Sequence, residues 1–198
     1  PSVKSEVRDG IGILTISRFG EDTTSLAQAA AKSFKDQNVK GIVLDLRSDP
    51  GGLLEAAVNV SSLWLKNKTV LTERRDGKII QSYSSRGEAI LEGIKTVVLI
   101  DGGSASASEI TAGALRDNGA ATLMGVKSFG KGSVQQPIDL LDGSLLKVTI
   151  ARWYTPAGKN IDKEGITPDK EIKITDLDIE NKVDPQLDGA LKQLGTSN

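Results

Sequence analysis

Stretches of alternating hydrophobic and polar residues occur in pairs along the chain, and an Asp-Gly dipeptide separates the two members of each pair. The pairs cover residues 3–16, 69–83 and 134–153, with Asp-Gly at positions 9–10, 76–77 and 142–143. Alternation with a period of two is typical of a strand with one buried face. Asp-Gly favours a tight turn because both residues tolerate positive φ. The pattern therefore predicts three β-hairpins.

Two continuous apolar runs are each followed by a glycine turn and an amphipathic segment. The strand, turn and helix fall at residues 41–46, 48–52 and 53–65 in the first unit, and at residues 96–100, 101–103 and 106–118 in the second. Short apolar runs of this kind are typical of strands buried on both faces in a parallel sheet. We therefore predict two βα units whose glycine turns lie at the carboxyl ends of their strands.

The rest of the chain predicts shorter elements around these units. Helices are expected at residues 25–36 and 184–195, strands at residues 121–126 and 171–174, and loops at residues 84–93 and 128–133. Asp184 as a cap followed by Pro185 is a common helix start, because proline has no N–H to satisfy there. Together the elements predict one α/β domain.

Composition narrows the choice of function. The chain has 198 residues and a net charge of −1, enough for one well-packed domain. It has no basic stripe and no aromatic platform, so nucleic acid is not an expected partner. The longest apolar run, residues 97–100, is too short to cross a bilayer. Because the sequence begins at Pro1 rather than methionine, we expect a fragment or a processed form.

The absence of histidine and cysteine excludes several kinds of active site. Triads with histidine, Cys-His pairs and histidine-bound zinc are ruled out. A nucleophile in this chain must be an oxygen, and its base a lysine, a carboxylate or a water held by an amide. Carboxylates are plentiful but show no metal-binding spacing, so no metal and no cofactor are expected. Ser106 and Lys131 are the candidates for nucleophile and base.

Ser106 has two interpretations. With Glu109 it matches a capping box, in which the serine caps the helix and the glutamate accepts from the serine N–H. A nucleophile fits the same place, because free backbone N–H groups there stabilise a developing oxyanion. The N–H of Ala107 is then the first oxyanion donor. Gly51 and Gly52 are candidates for the second, although the pair is equally typical of a simple turn.

Lys131 also has interpretations other than a catalytic base. It fits a solvated loop lysine, and residues 125–131 match part of a phosphate-binding loop. That loop requires Ser or Thr at position 132, where this chain has glycine, and a following helix that Pro137 does not permit. As a base, Lys131 needs an apolar site that lowers its pKa, and we expect Phe129 to provide shielding. Lys127 is the competing base, and Ser104 and Ser108 are competing nucleophiles.

Five segments, in order, resemble the carboxyl-terminal processing peptidases, also called tail-specific proteases. They are residues 44–54 (LDLRSDPGGLL), 103–110 (GSASASEI), 129–135 (FGKGSVQ), 154–158 (YTPAG) and 165–169 (GITPD). The resemblance covers about residues 3–174. It implies a Clp-peptidase/crotonase-like α/β core with a mostly parallel sheet, flanking helices and hairpins at the edges.

The resemblance also implies roles for single residues. Ser106 falls on the family's nucleophile, Lys131 on its base and Gln135 on the glutamine that orients the lysine. The oxyanion donors fall on the backbone of Gly51-Gly52 and of Ala107. Asp117 is expected to be structural, pairing with Arg116 or the helix end.

The implied activity is that of a serine endopeptidase that cuts protein or peptide substrates near their carboxyl termini. Family members usually carry a PDZ domain before the strand at Val3, and this sequence does not include one. An extracytoplasmic compartment is expected, and whether the chain forms a homo-oligomer is left open.

Two other functions are compatible with the same fold. Retinoid-binding repeats resemble this family without being proteases, which makes a non-catalytic binder of apolar ligands the second hypothesis. A binder has no need for Ser106, Lys131 and Gln135 at the family spacing. The third hypothesis, crotonase-like acyl-CoA chemistry on the same oxyanion hole, leaves Lys131 unexplained.

Overall fold

The computed structural model describes residues 1–139 and 144–195. The strands within these residues are β1 (Val3–Arg8), β2 (Ile11–Ile16), β3 (Gly41–Asp45), β4 (Thr69–Arg75), β5 (Lys78–Ser84), β6 (Thr96–Ile100), β7 (Thr122–Gly125), β8 (Ser133–Asp139), β9 (Leu145–Tyr154) and β10 (Lys170–Glu171). The helices are α1 (Thr23–Asp36), α2 (Leu54–Ser61), α3 (Ala107–Asp117), α4 (Asp176–Glu180) and α5 (Pro185–Gly195).

A six-stranded sheet forms the centre of the molecule. Its strand order is β1-β2-β3-β6-β7-β10, and every neighbouring pair is parallel except β1 with β2. The predicted mostly parallel α/β core is confirmed. In a parallel sheet the strands end at the same edge, so the turns after β3 and β6 lie side by side.

The second and third hairpins form a sheet of their own. β4 and β5 pair as predicted, β8 and β9 do the same, and β4 joins β9 to give the order β5-β4-β9-β8. The predicted turn at residues 142–143 lies outside the described residues. The β4–β9 pairing joins Thr72 to Tyr154, which are far apart in the sequence, so no local pattern could reveal it.

Each face of the large sheet packs against helices. Ile42 and Leu44 of β3 belong to the core on the side of α1, α2 and α3, whereas Val43 belongs to the core on the side of α5. All five residues of β3 are buried. Burial on both faces explains why this strand is a continuous apolar run rather than an alternating one.

Two elements differ from their sequence-based bounds. The helix predicted over residues 53–65 ends at Ser61, because Trp64 turns inward and its indole N–H donates to Thr96 Oγ1 at 2.8 Å. β10 ends at Glu171 rather than near residue 174. The short helix α4 was not predicted, since none of its residues is buried and it has no core-facing pattern. Within the described ranges, no helix is both long and apolar enough to span a bilayer.

The guanidinium of Arg47 joins the end of β3 to the start of α5. It donates to both carboxylate oxygens of Asp45, at 2.9 and 2.7 Å, and to both oxygens of Asp184, at 2.9 and 2.8 Å. Burial opposes ionisation of Asp184, but the bonds from Arg47 and from Leu187 N–H outweigh it and lower the pKa of Asp184. The stabilisation from this pair is therefore present at neutral pH and is lost as pH falls through the lowered pKa.

Replacement of Asp184 by asparagine tests this link. Asp184→Asn keeps an oxygen to cap α5 but removes the charge, so we expect the free energy of unfolding to fall by about 1 kcal/mol near neutral pH. The loss should shrink towards zero in acid, as measured by urea unfolding at several pH values. The exposed Asp176→Asn serves as control. An equal loss at neutral and acid pH would contradict the charge-based explanation.

Candidate active site

The glycine turn after β3 packs directly against the start of α3. A Cβ atom placed on Gly51 would lie 2.7 Å from Ser106 Cβ and 2.9 Å from Ala107 N, both too close. Gly51 also has φ of +96°, which favours glycine. The structure therefore brings the predicted oxyanion turn and the predicted nucleophile into contact.

Asp101 fixes these two turns to each other. Its Oδ1 accepts from the N–H groups of Ser48, Gly103 and Ser104, at 2.8, 2.9 and 3.1 Å. Ser48 belongs to the first turn, whereas the other two belong to the second. One carboxylate oxygen thus sets the spacing between the two loops.

Ser106 lies at the junction between the second turn and α3. Its φ is +56°, a conformation that non-glycine residues seldom adopt, and only 7% of its surface is exposed. Backbone strain of this kind is frequent at functional sites, where the surrounding contacts maintain it. Ala107, the first residue of α3, follows immediately.

The buried carboxylate of Glu109 accepts hydrogen bonds from both candidate segments. Oε2 accepts from Ser106 N–H and from Lys131 N–H, each at 2.9 Å. Oε1 accepts from Ser128 Oγ at 2.6 Å and from Gly130 N–H at 2.7 Å. A single oxygen therefore holds the backbones of Ser106 and Lys131 close together, and Glu109 itself is 1% exposed.

Sequence reasoning identified only part of this role. The capping-box pattern predicted that Glu109 contacts Ser106 N–H, which the structure confirms. Its contacts with residues 128–131 join segments about twenty positions apart, and no pattern in the sequence signals them.

The loop that carries Lys131 lies against residues 161–166. A Cβ on Gly132 would collide with the backbone nitrogen of Asp162, and one on Gly130 would lie 2.8 Å from Gly165 N. Ser128 Oγ accepts from Ile166 N–H at 2.7 Å. The glycines beside Lys131 therefore permit close contact between two backbones.

The expected shielding of Lys131 is wrong for this structure. The Lys131 side chain is exposed, and Phe129 is 65% exposed. The backbone of this loop faces inward, towards Glu109 and residues 161–166, so the side chains at positions 129 and 131 face outward.

The hydroxyl groups of the two competing serines are bonded to backbone oxygens. Ser104 Oγ donates to Leu46 O at 2.7 Å and Ser108 Oγ donates to Asp49 O at 2.9 Å, and both serines are fully buried.

Asp117 is structural, as predicted, because it pairs with Arg116 and accepts from Ala157 N–H. Lys127 is exposed.

Gln135 lies in β8, where its backbone is opposite Thr149 of β9. Gln135 comes four residues after Lys131 and belongs to the small antiparallel sheet. Its orienting role stays a prediction.

The two glycines of the first turn differ in what their N–H groups do. Gly51 N–H donates to Asp49 Oδ1 at 2.8 Å. Within residues 1–139 and 144–195, the N–H groups of Gly52 and Ala107 have no hydrogen-bond partner. The turn is held from the other side by Phe19, whose N–H donates to Gly51 O at 2.9 Å. Gly52 and Ala107 are therefore the free donors at this site.

A cavity of about 540 Å³ opens beside the turn, with Arg18, Gly51, Gly52 and Leu53 among its lining residues. A larger cavity, of about 720 Å³, lies between Arg116 and the loop before residue 167. Neither Ser106 nor Lys131 lines either cavity, but Gly52, with its free N–H group, lines the smaller one. Position rather than size therefore favours the smaller cavity as a substrate site.

Asp49 is a buried carboxyl group beneath the turn. Burial raises its pKa from 3.8 to about 6, although the bond from Gly51 N–H works in the opposite direction. Oδ2 is buried without a partner among the described residues. Ionisation of Asp49 therefore places an uncompensated charge in the core.

We expect Asp49→Asn to stabilise the protein at neutral pH but not in acid. The parent loses stability as pH rises from about 4 to about 6, because only the ionised carboxyl is penalised by burial, and the difference is at most about 3 kcal/mol. Urea unfolding of both proteins across this range measures it. In a further measurement near pH 8, where Asp49 is ionised, a variant no more stable than the parent would refute the raised pKa of Asp49.

We expect Glu109→Gln to destabilise the fold by about 2–4 kcal/mol, because an amide N–H₂ would face N–H and O–H donors in a buried site. Chemical unfolding measures the loss, and the exposed Glu92→Gln is the matched control. A variant as stable as the control would show that the four contacts contribute nothing.

Comparison with known proteins identifies the family. The model of peptidase family S41 matches residues 10–172. A carboxy-terminal-processing protease of Bartonella bacilliformis is 44% identical over 173 residues, which are 85% of this chain and 40% of that protein. A carboxyl-terminal-processing protease of Synechocystis sp. is 39% identical over 188 residues, which are 93% of this chain and 44% of that protein.

The chain is also similar to the solved structure of a carboxyl-terminal processing protease. The photosystem II D1 C-terminal processing protease superposes with a TM-score of 0.84 at 33% identity, covering 100% of this chain and 53% of that one. The present chain thus spans about half or less of the length of these relatives. With the fold, the two glycine turns and the family match in agreement, the chain belongs to peptidase family S41, the family of the carboxyl-terminal processing serine proteases.

Proposed function

We propose that this chain is the catalytic core of a serine endopeptidase with a Ser106–Lys131 dyad. The observation that carries the proposal is the Glu109 carboxylate, one oxygen of which holds the backbones of both residues. The unpaired N–H groups of Gly52 and Ala107 supply the oxyanion donors beside them. Neither apolar-ligand binding nor acyl-CoA chemistry explains why the backbones of this serine and this lysine are held together in this way.

The reaction follows the order of acyl transfer. Neutral Lys131 takes the proton of Ser106 while Oγ attacks the peptide carbonyl, and the Gly52 and Ala107 N–H groups stabilise the oxyanion. The protonated lysine then gives that proton to the leaving amine as the C–N bond breaks. A water that gives a proton to the same lysine then attacks the ester. The C–Oγ bond breaks, the acid is released, and Ser106 Oγ takes the proton back from the lysine. Gln135 orients the lysine in this scheme.

Binding of substrate changes the solvent exposure of the Lys131 amine. Lys131 is exposed in the free protein. A peptide that covers Lys131 and Phe129 removes water from the amine and favours its neutral form. Binding of substrate thus helps to generate the active base.

The peptide fits as an extended strand. β8 is an edge strand of the small sheet and begins two residues after Lys131. Pairing with an edge supplies affinity through backbone bonds, with little demand on sequence. The cavity beside Gly51 and Gly52 then receives a side chain next to the scissile bond.

The names of the relatives extend the proposal to substrates and setting. Because those proteins process carboxyl termini, we propose protein tails as substrates, with a PDZ domain in the longer protein to capture them. An extracytoplasmic compartment is consistent with the lack of cysteine, since such a chain forms no stray disulfides there.

Substitution of the dyad tests the mechanism. Ser106→Ala and Lys131→Ala should each lower casein cleavage by roughly three orders of magnitude or more, because each removes a member of one catalytic unit. Gln135→Ala should cost less. Lys127→Ala, an exposed lysine four residues away, is the control and should cleave like the parent. Cleavage by Lys131→Ala at the parental rate would exclude lysine as the base.

A further inference from the structure

We propose that Asp49 is a positioning residue of the oxyanion hole, whose buried carboxyl oxygen holds Gly51 N–H and so directs Gly52 N–H to the place beside Ala107. This inference rests on the proposed protease function. Asp49 touches neither the nucleophile nor the base, so it acts through the glycine turn alone.

Asp49 is itself anchored to the nucleophile segment. Its backbone oxygen accepts from Ala105 N–H at 3.0 Å and from Ser108 Oγ at 2.9 Å, one residue before and two residues after Ser106. Its side chain then accepts from Gly51 N–H at 2.8 Å. The residue therefore transmits the position of the α3 start to the oxyanion turn.

The turn needs such an anchor because it contains two adjacent glycines. Gly51 and Gly52 have φ values of +96° and +146°, and glycine reaches many other conformations at little cost. The bond to Asp49 fixes the Gly51 N–H, while Phe19 N–H fixes the Gly51 carbonyl. With both ends of Gly51 held, the next N–H, that of Gly52, has a defined direction.

The charge state of Asp49 matters to an oxyanion nearby. Three charged residues flank the turn, and each is engaged elsewhere: Arg47 with Asp45 and Asp184, Asp101 with three backbone N–H groups, and Glu109 with its four donors. None of them forms an ion pair or a hydrogen bond with Asp49 in the described part of the chain. A neutral group at this position keeps the bond to Gly51 without adding a negative charge beneath the oxyanion.

Two substitutions at Asp49 distinguish the effect of its hydrogen bond to Gly51 from the effect of its charge. Asp49→Ala removes the acceptor, so kcat for a fluorescent casein substrate should fall about 10–100-fold while KM changes less than about twofold. Asp49→Asn keeps the acceptor and removes the charge. Its kcat should exceed that of the parent several-fold at about pH 8, and this advantage should disappear near pH 5. Every other residue is common to both proteins, so the ratio of their rates reports on position 49.

The control is Asp36→Asn, an exposed carboxyl at the end of α1, which should match the parent at every pH. A parental kcat for Asp49→Ala, or a ratio of Asp49→Asn to parent that does not change with pH, would overturn the proposal. Should Asp49→Ala fail to fold in a thermal melt, the pH dependence of the Asp49→Asn ratio decides alone. Loss of cleavage in Ser106→Ala with normal rates in both Asp49 variants refutes only this inference. An inactive parent refutes the protease function and this inference with it.

Discussion

The buried carboxylate of Glu109 connects the segment that carries Ser106 to the segment that carries Lys131, which the bond from Phe129 N–H to Ser104 O also joins. A charged group with 1% exposure is unfavourable unless its oxygens are fully satisfied. Here four donors satisfy it: one is the N–H of Ser106, just before α3, and the other three come from the loop after β7. The energetic requirement of one buried charge thus determines the geometry of the site, because these backbone groups cannot leave the carboxylate without exposing it unpaired.

The rest of the site depends on a parallel sheet. Parallel strands β3 and β6 are neighbours, so their carboxyl-terminal turns lie together and Asp101 can bond to both. One turn carries a proposed oxyanion donor, Gly52, and the other leads to the proposed nucleophile, Ser106. A protein without histidine can use this frame because the lysine arrives from a third loop, which Glu109 and residues 161–166 hold in place.

Local patterns in the sequence were sufficient for most of the elements. The hairpin at β1 and β2, the two βα units and α5 all follow from periodicity, glycine turns and caps within about fifteen residues. The motifs also placed Ser106, Ala107 and Gly51 where the structure brings them together. Three features depend on segments that are distant in the sequence. They are the β4–β9 pairing, the contacts of Glu109 with residues 128–131 and the outward direction of the Lys131 side chain. Their free energies come from tertiary packing, which a single sequence does not display.

The proposed nucleophile and the proposed base are attached to different sheets. Ser106 follows a strand of the parallel sheet, whereas Lys131 leads into β8 of the antiparallel one. The two sheets meet through contacts between residues as far apart as positions 72 and 154, which are among the slowest to form in a folding chain. The segments of Ser106 and Lys131 consequently come together only late in folding, when both sheets are complete.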